Sequence, residues 1–247
     1  MNDFNDKIVK SAIASGLAEF ATIPICTLKT NYQTFKSNSI LTTAKDMYKV
    51  NGYCAFYRAS YPAIFSQIVS GSSKYSFYHL FKRLRGTKDN DLLNNSVNGA
   101  LGGICGGLLA HPIDVYKIYR QRACNDFFVD LKKNGPSMLY RGYSQSIYKN
   151  IILYSALFPI NDYFKTLNLG PIMSPFLTVL TISIALQPVD YFKVRKMAGL
   201  KLLDSNSFSL TTLKECYKGY TLNFLRAAPH FVITMYTIDQ LNKLFHL

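Results

Sequence analysis

The sequence has no tryptophan, only five cysteines and four histidines, and half as many acids (14) as lysines and arginines (28) among its 247 residues. Each scarcity excludes something. The cysteines are odd in number and scattered, with no metal-ligand spacing, so neither a disulfide framework nor a zinc site is expected. His79, His111, His230 and His246 lie far apart, with no cysteine or carboxylate at ligand spacing, and no catalytic constellation can be assembled from them. The chain does not read as an enzyme, and no cofactor chemistry is called for. The opening residues carry Asp3 and Asp6 without separate basic and apolar regions, so any targeting is expected to be internal rather than by a cleavable signal. No segment alternates apolar and polar residues over a useful length, which argues against strands. The missing tryptophan goes with frequent Asn, Lys, Ile and Tyr, the composition of an AT-rich genome.

Mean hydropathy is close to zero, but the average misleads, because the charges collect in particular segments. The stretches between them are long enough for membrane spans of about 20 residues. Six are expected, over 7–32, 61–84, from about 94 through the motif near 112, 144–164, 172–197 and 220–245. Short amphipathic surface helices are expected over 42–50, 126–133 and 207–215, the first two ended by Asn51-Gly52 and Asn134-Gly135. Gly99, Gly103 and Gly107, four residues apart, put a glycine stripe on one helical face, a close-packing signal in lipid. They are not a phosphate-cradling loop, since no strand precedes them and no Gly-Lys-Ser/Thr follows.

The net charge of +14 would suit a nucleic-acid partner. Its distribution does not. Lys36, Lys45, Lys49, Arg122, Lys132, Lys133, Lys196, Lys201 and Lys214 fall in alternate connections, whereas Lys82, Arg83, Arg85 and Lys88 are balanced by Asp89 and Asp91. An excess of bases on one side orients a polytopic membrane protein, so no nucleic-acid partner is expected.

Those basic connections follow a repeated motif. His111-Pro112-Ile113-Asp114-Val115-Tyr116-Lys117, with Gln121 beyond it, returns as Gln187-Pro188-Val189-Asp190-Tyr191-Phe192-Lys193. A reduced copy reads Ile23-Pro24-Ile25-Cys26-Thr27-Leu28-Lys29, with Gln33. Some 30 residues after each comes an aromatic and a base: Tyr57-Arg58-Ala59, Tyr140-Arg141-Gly142 and Tyr217-Lys218-Gly219. A unit of about 80 residues repeated three times is an internal repeat. It resembles the mitochondrial carrier family, whose signature is Pro-x-[Asp/Glu]-x-x-[Lys/Arg] followed by an aromatic-base-Gly element in three tandem repeats.

The resemblance covers almost the whole chain and implies one all-α membrane domain over 1–247. Its repeats would be approximately 1–88, 89–168 and 169–247, six transmembrane helices with pseudo-threefold symmetry and short matrix-side surface helices. It implies a monomeric carrier of the mitochondrial inner membrane. With the AT-rich composition, it suggests a divergent member from a parasite or large DNA virus. The acid of one repeat would pair with the base of the next to close a matrix gate: Asp114 with Lys193, and Asp190 with Lys29. Lys117 should meet an acid at position 26, where Cys26 stands, leaving the gate one ion pair short. Gln33 and Gln121 match the family's braces beneath these pairs, and Met197 replaces the third. A cytoplasmic gate would draw on Tyr78-His79 with Lys82, Asp162 with Lys165, and Asp239 without a base at Asn242. Networks this incomplete fit either a low-barrier exchanger or a uniporter.

Counting seven residues on from Ala59, Gly142 and Gly219 places the expected substrate contacts at Ser66, Lys149 with Asn150, and Arg226. Cations in a cavity among lipid-facing helices call for an anionic ligand. Snorkelling toward headgroups is the alternative for Lys149 and Arg226. Lys149-Asn150 resembles the carboxylate-transporting branch of the family. Arg226 resembles the nucleotide carriers' third contact, Tyr154 could stack on a base, and Glu19 could accept from a base or ribose. A nucleotide is expected first, a di- or tricarboxylate or keto acid second, and a non-transporting scaffold last. Gly52, Tyr57, Arg58, Gly135, Arg141, Lys218 and Gly219 match the family's cardiolipin positions, where helix N-termini receive phosphates.

Overall fold

The computed structural model describes residues 2–35, 39–86, 92–122, 127–167, 173–200 and 215–244, and no strand occurs among them. Among the described residues, eight helices of eight residues or more appear in this order: α1 Asn2–Thr34, α2 Ile40–Asn51, α3 Ser60–Leu84, α4 Leu92–Gln121, α5 Phe127–Asn134, α6 Tyr143–Thr166, α7 Met173–Met197 and α8 Tyr220–Leu244. The six long ones fall within a few residues of the expected spans. α2 and α5 are the first two surface helices, and the third, over 207–215, lies outside the described residues apart from Glu215. α1, α4, α7 and α8 run unbroken through Pro24, Pro112, Pro188 and Pro229. A proline removes one backbone hydrogen bond, a loss that packed neighbours can absorb.

Each long helix packs on two others: α1 on α3 and α8, α4 on α3 and α6, α7 on α6 and α8. The six therefore close into a ring. Its tightest seam joins α3 to α4, where a Cβ added at Gly106 would stand 2.5 Å from the Lys74 nitrogen and one at Gly102 would stand 2.8 Å from that of Tyr78. This seam is not the expected stripe. Gly107 has room for a Cβ at 3.7 Å from Asn150, and the Gly103 carbonyl accepts from Asn150 Nδ2 at 2.9 Å, so that stripe turns toward α6. Paired glycines at 102/103 and 106/107 thus serve two neighbouring helices, because adjacent residues point about a quarter-turn apart.

Burial runs opposite to that of a water-soluble bundle. Glu19, Thr27, Gln33, Asn98 and Gln187 are fully buried, while Val9, Ile13, Leu17 and Phe20 are exposed along α1, and Leu225, Val232 and Tyr236 along α8. Two helices, through 12–34 and 176–197, are long and apolar enough on average to cross a membrane. The other four long helices carry charged and other polar side chains that lower their average.

A buried apolar cluster lies at the end of the ring where the proline motifs finish. Val115, Ile118 and Tyr119 of α4 meet Phe127 of α5, Met138, and Met197 with Ala198 at the end of α7. Tyr119 Oη donates to Asp130 Oδ2 at 2.8 Å, fixing α5 against α4. Gly142, at φ 78°, faces Met197 so closely that a Cβ there would lie 3.0 Å from the Met197 Cγ. Met197 therefore fills this end with hydrocarbon where the family places a glutamine brace.

Candidate functional site

The motif residues converge inside the ring as three groups. Asp190 of α7 lies between Lys149 of α6 at 2.7 Å and Lys29 of α1 at 3.7 Å. Asp114 of α4 lies 3.7 Å from Lys193 of α7 and accepts a short hydrogen bond from Ser66 of α3. Glu19 of α1 lies between Lys117 of α4 at 2.7 Å and Arg226 of α8 at 2.6 Å. In each group a carboxylate of α1, α4 or α7 takes a base from another of these three helices and a polar head from α3, α6 or α8.

The structure brings together both ion pairs expected from the proline motif, Asp114 with Lys193 and Asp190 with Lys29. The third differs from expectation. Lys117 does not lack a partner; it donates to Glu19, seven residues before Cys26 on the same helix. Seven residues are two turns and return to almost the same face, so the carboxylate projects from the stripe that carries Cys26. Glu19 is thereby occupied by two cations rather than presented as a free acceptor. Cys26 instead receives the Gln121 amide at 3.5 Å, and Gln121 Oε1 accepts from Thr30 at 2.7 Å. Gln33 braces no ion pair, since its amide donates to the Lys218 carbonyl at 3.0 Å.

Of the expected substrate contacts, Ser66, Lys149 and Arg226 each cap one carboxylate, so a ligand reaching them competes with an internal acid. Asn150 is elsewhere: it is buried and its amide satisfies the Gly103 carbonyl, tying α6 to α4. The Tyr154 side chain lies outside the described residues. Two further groups belong to the site. Asn223 of α8 accepts from Lys29 at 2.7 Å. Lys74 of α3 lies within electrostatic reach of Lys193, Asp114 and Lys149. Lys74 sits eight residues past Ser66, two helical turns on, which is the signal that could have marked it.

The residue before each motif proline has a consistent partner in two of the copies. His111 Nε2 lies 3.0 Å from the Arg141 carbonyl, and Gln187 Nε2 donates to the Lys218 carbonyl at 3.2 Å. Each joins the motif to the aromatic-base-Gly element of its own repeat. The first copy has Ile23 and Arg58 at these places, and isoleucine has no side-chain donor.

At the opposite end, Tyr78 Oη donates to Asn95 at 3.3 Å, and the His79 ring lies 4.4 Å from Tyr75 and 5.2 Å from Tyr78. Lys82 is one turn further along α3, while the side chains of Asp162, Lys165 and Asp239 lie outside the described residues. Arg85 instead joins α3 to α4 through Asn94 and Asn98 at 2.9 and 3.0 Å.

Among the expected lipid positions, Gly52, Gly135 and Gly219 have φ of 60°, 69° and 85°, the left-handed turns for which glycine is suited. Lys218 Nζ donates to the Phe35 carbonyl at 3.2 Å and lies 4.6 Å over the Tyr32 ring. Burial pushes this ammonium below lysine's usual range, and Arg195 adds to the effect.

A ring of long helices, apolar outside and ionic within, defines a helical protein with a charged central path. The family profile described as mitochondrial carrier protein matches residues 2–89. The chain is 42% identical over 241 residues to a mitochondrial carrier-like protein, L276, of Acanthamoeba polyphaga mimivirus, covering 96% of this chain and 95% of the relative. It is 26% identical to kidney mitochondrial carrier protein 1 of Xenopus laevis, with 96% of each chain covered. It is also 22% identical to mitochondrial citrate transporter F of Aspergillus niger, covering 95% of this chain and 88% of the relative. The chain belongs to the mitochondrial carrier family. Its relatives indicate a carrier of a small molecule.

Proposed function

We propose that the chain moves a multiply charged anionic metabolite, a nucleotide in first place, across the mitochondrial inner membrane by alternating access. The observation that carries this reading is the charge of the ring's interior. Among the described residues, Lys29, Lys74, Lys117, Lys149, Lys193 and Arg226 gather around three carboxylates, Glu19, Asp114 and Asp190. Uncompensated cations away from water are costly, and a polyanion at the centre supplies the missing charge. Arg226 and Lys149, on different helices, suit the separated charges of a phosphate chain. A di- or tricarboxylate is the second reading, favoured by the citrate transporter among the relatives.

The exposed apolar faces support six spans in lipid, including the helices whose charged and polar side chains lower their average hydropathy. The equivalent partners of Asp114, Asp190 and Glu19, and of His111 and Gln187, support three repeats of similar design. The basic connections support a matrix-facing side for α2 and α5. Cardiolipin is proposed at Gly52 with Arg58, Gly135 with Arg141, and Lys218 with Gly219, where a glycine at positive φ and a base recur in each repeat. The protein is proposed to work as a monomer.

Uptake of labelled nucleotides and of labelled di- and tricarboxylates into liposomes carrying the purified protein tests the function. Empty and preloaded vesicles separate uniport from exchange. Nucleotide uptake supports the first reading and carboxylate uptake alone the second, while no uptake of either class removes both.

A further inference from the structure

We propose that Glu19 is the third acid of the matrix gate, displaced two turns from the position the proline motif reserves for it, and that it links this gate to the substrate contact Arg226. The inference rests on the alternating-access reading above. Position 26 is where repeats two and three carry Asp114 and Asp190, and there Cys26 offers only a weak acceptor for the Gln121 amide. Lys117 would otherwise be a buried cation without a counter-charge, an expensive arrangement. Instead it donates to fully buried Glu19 at 2.7 Å. Glu19 and Cys26 are about 10 Å apart along one helical stripe. The long lysine stem lets one base serve either place.

The displacement goes with a closer gate contact in this repeat. Asp114 and Asp190 hold their gate bases at 3.7 Å, whereas Glu19 holds Lys117 at 2.7 Å and Arg226 at 2.6 Å through its two oxygens. An anion arriving at Arg226 therefore competes with the same carboxylate that anchors Lys117. In this repeat, substrate binding and gate opening meet on one side chain.

Three variants of the full-length protein test this, by thermal melting in detergent and by the concentration dependence of liposome uptake. Glu19→Gln should lower Tm by roughly 10 °C, as expected for one partner removed from a buried ion pair in a chain this size. It should also lower the apparent KM for the transported anion, roughly tenfold, because Arg226 loses its internal competitor. Glu19→Gln with Cys26→Asp should regain most of the lost Tm, since Lys117 and the Gln121 amide are positioned to receive a carboxylate there. Glu19→Gln with Lys117→Gln should melt no lower than Glu19→Gln alone. An unchanged Tm in Glu19→Gln, a raised KM, or a Cys26→Asp double variant that melts no higher than Glu19→Gln or does not fold would overturn the proposal. If Glu19→Gln does not fold, recovery of folding in the Cys26→Asp double variant is the supporting result. The melting arms need no substrate, so a protein that transports neither class of anion would overturn the transport reading while leaving the relocated acid to be judged by Tm.

Discussion

Lys149 Nζ lies 2.7 Å from Asp190 Oδ1, a full ångström closer than Lys29, the base that the motif assigns to that acid. A residue expected to hold substrate is thus the stronger internal partner of a gate carboxylate. The unloaded site is only partly neutralised by its own acids, and a substrate competes with them for the bases. Each substrate contact then has two measurable effects, one on affinity and one on stability.

Lys149→Ala is expected to weaken apparent affinity for the transported anion at least tenfold, since a charge-assisted contact contributes about 1.5 to 3 kcal/mol. Stability should fall by only about 1 to 2 kcal/mol, less than for a fully broken buried pair. Lys29 remains beside Asp190, and the Lys149 head is about a third exposed (31%). Uptake kinetics and thermal melting of the one variant check both halves.

Asn150→Ala should behave differently, although the sequence places it next to Lys149 on the same expected contact point. Its amide is buried on the Gly103 carbonyl, so the cost is about 1 kcal/mol of stability, with KM unchanged. A tenfold rise in KM with wild-type melting would restore Asn150 to the substrate site.

Much of the fold was legible because its signals are local. A proline five residues ahead of an apolar-flanked base, an aromatic-base-Gly element and an Asn-Gly stop each fix their own segment, and the long helices fall within a few residues of the expected spans. Two of the three ion pairs were legible for the same reason, since the repeat carries both partners at fixed offsets. Glu19 was assigned to substrate because it lies outside the motif, and nothing in the spacing says that the Lys117 stem reaches two turns along the neighbouring helix. The glycine stripe was legible as packing but not in direction. Residues 102/106 and 103/107 share the same period, and only the ring order decides which pair meets α3.

That choice gives a direct comparison. Gly106→Ala would push a methyl group against the Lys74 backbone at 2.5 Å, where neither helix can yield as a flexible side chain does. A loss of about 1 to 3 kcal/mol or more is expected. Gly107→Ala meets only ordinary contacts at 3.7 and 3.9 Å. It gains up to about 1 kcal/mol of helix propensity and should melt at or slightly above the wild-type temperature. Equal losses at both positions would show that α3 does not approach α4 along this seam.

Lys74 separates substrate binding from stability most sharply. Its charge is felt by Lys193 and Lys149 as well as by Asp114, so in the unloaded protein two cations oppose it and one acid favours it. Lys74→Gln keeps the length of the side chain and removes the charge. Relief of the like-charge repulsion should leave Tm unchanged or raise it, while apparent affinity for a multiply charged anion falls about tenfold with loss of a charge-assisted contact. Opposite movements of affinity and stability are the pattern of a residue kept for function at a cost in stability. Melting and uptake measured side by side on wild type and Lys74→Gln decide the matter. A lower Tm with unchanged KM would make Lys74 a counter-charge for Asp114 and leave the anion to Lys149 and Arg226.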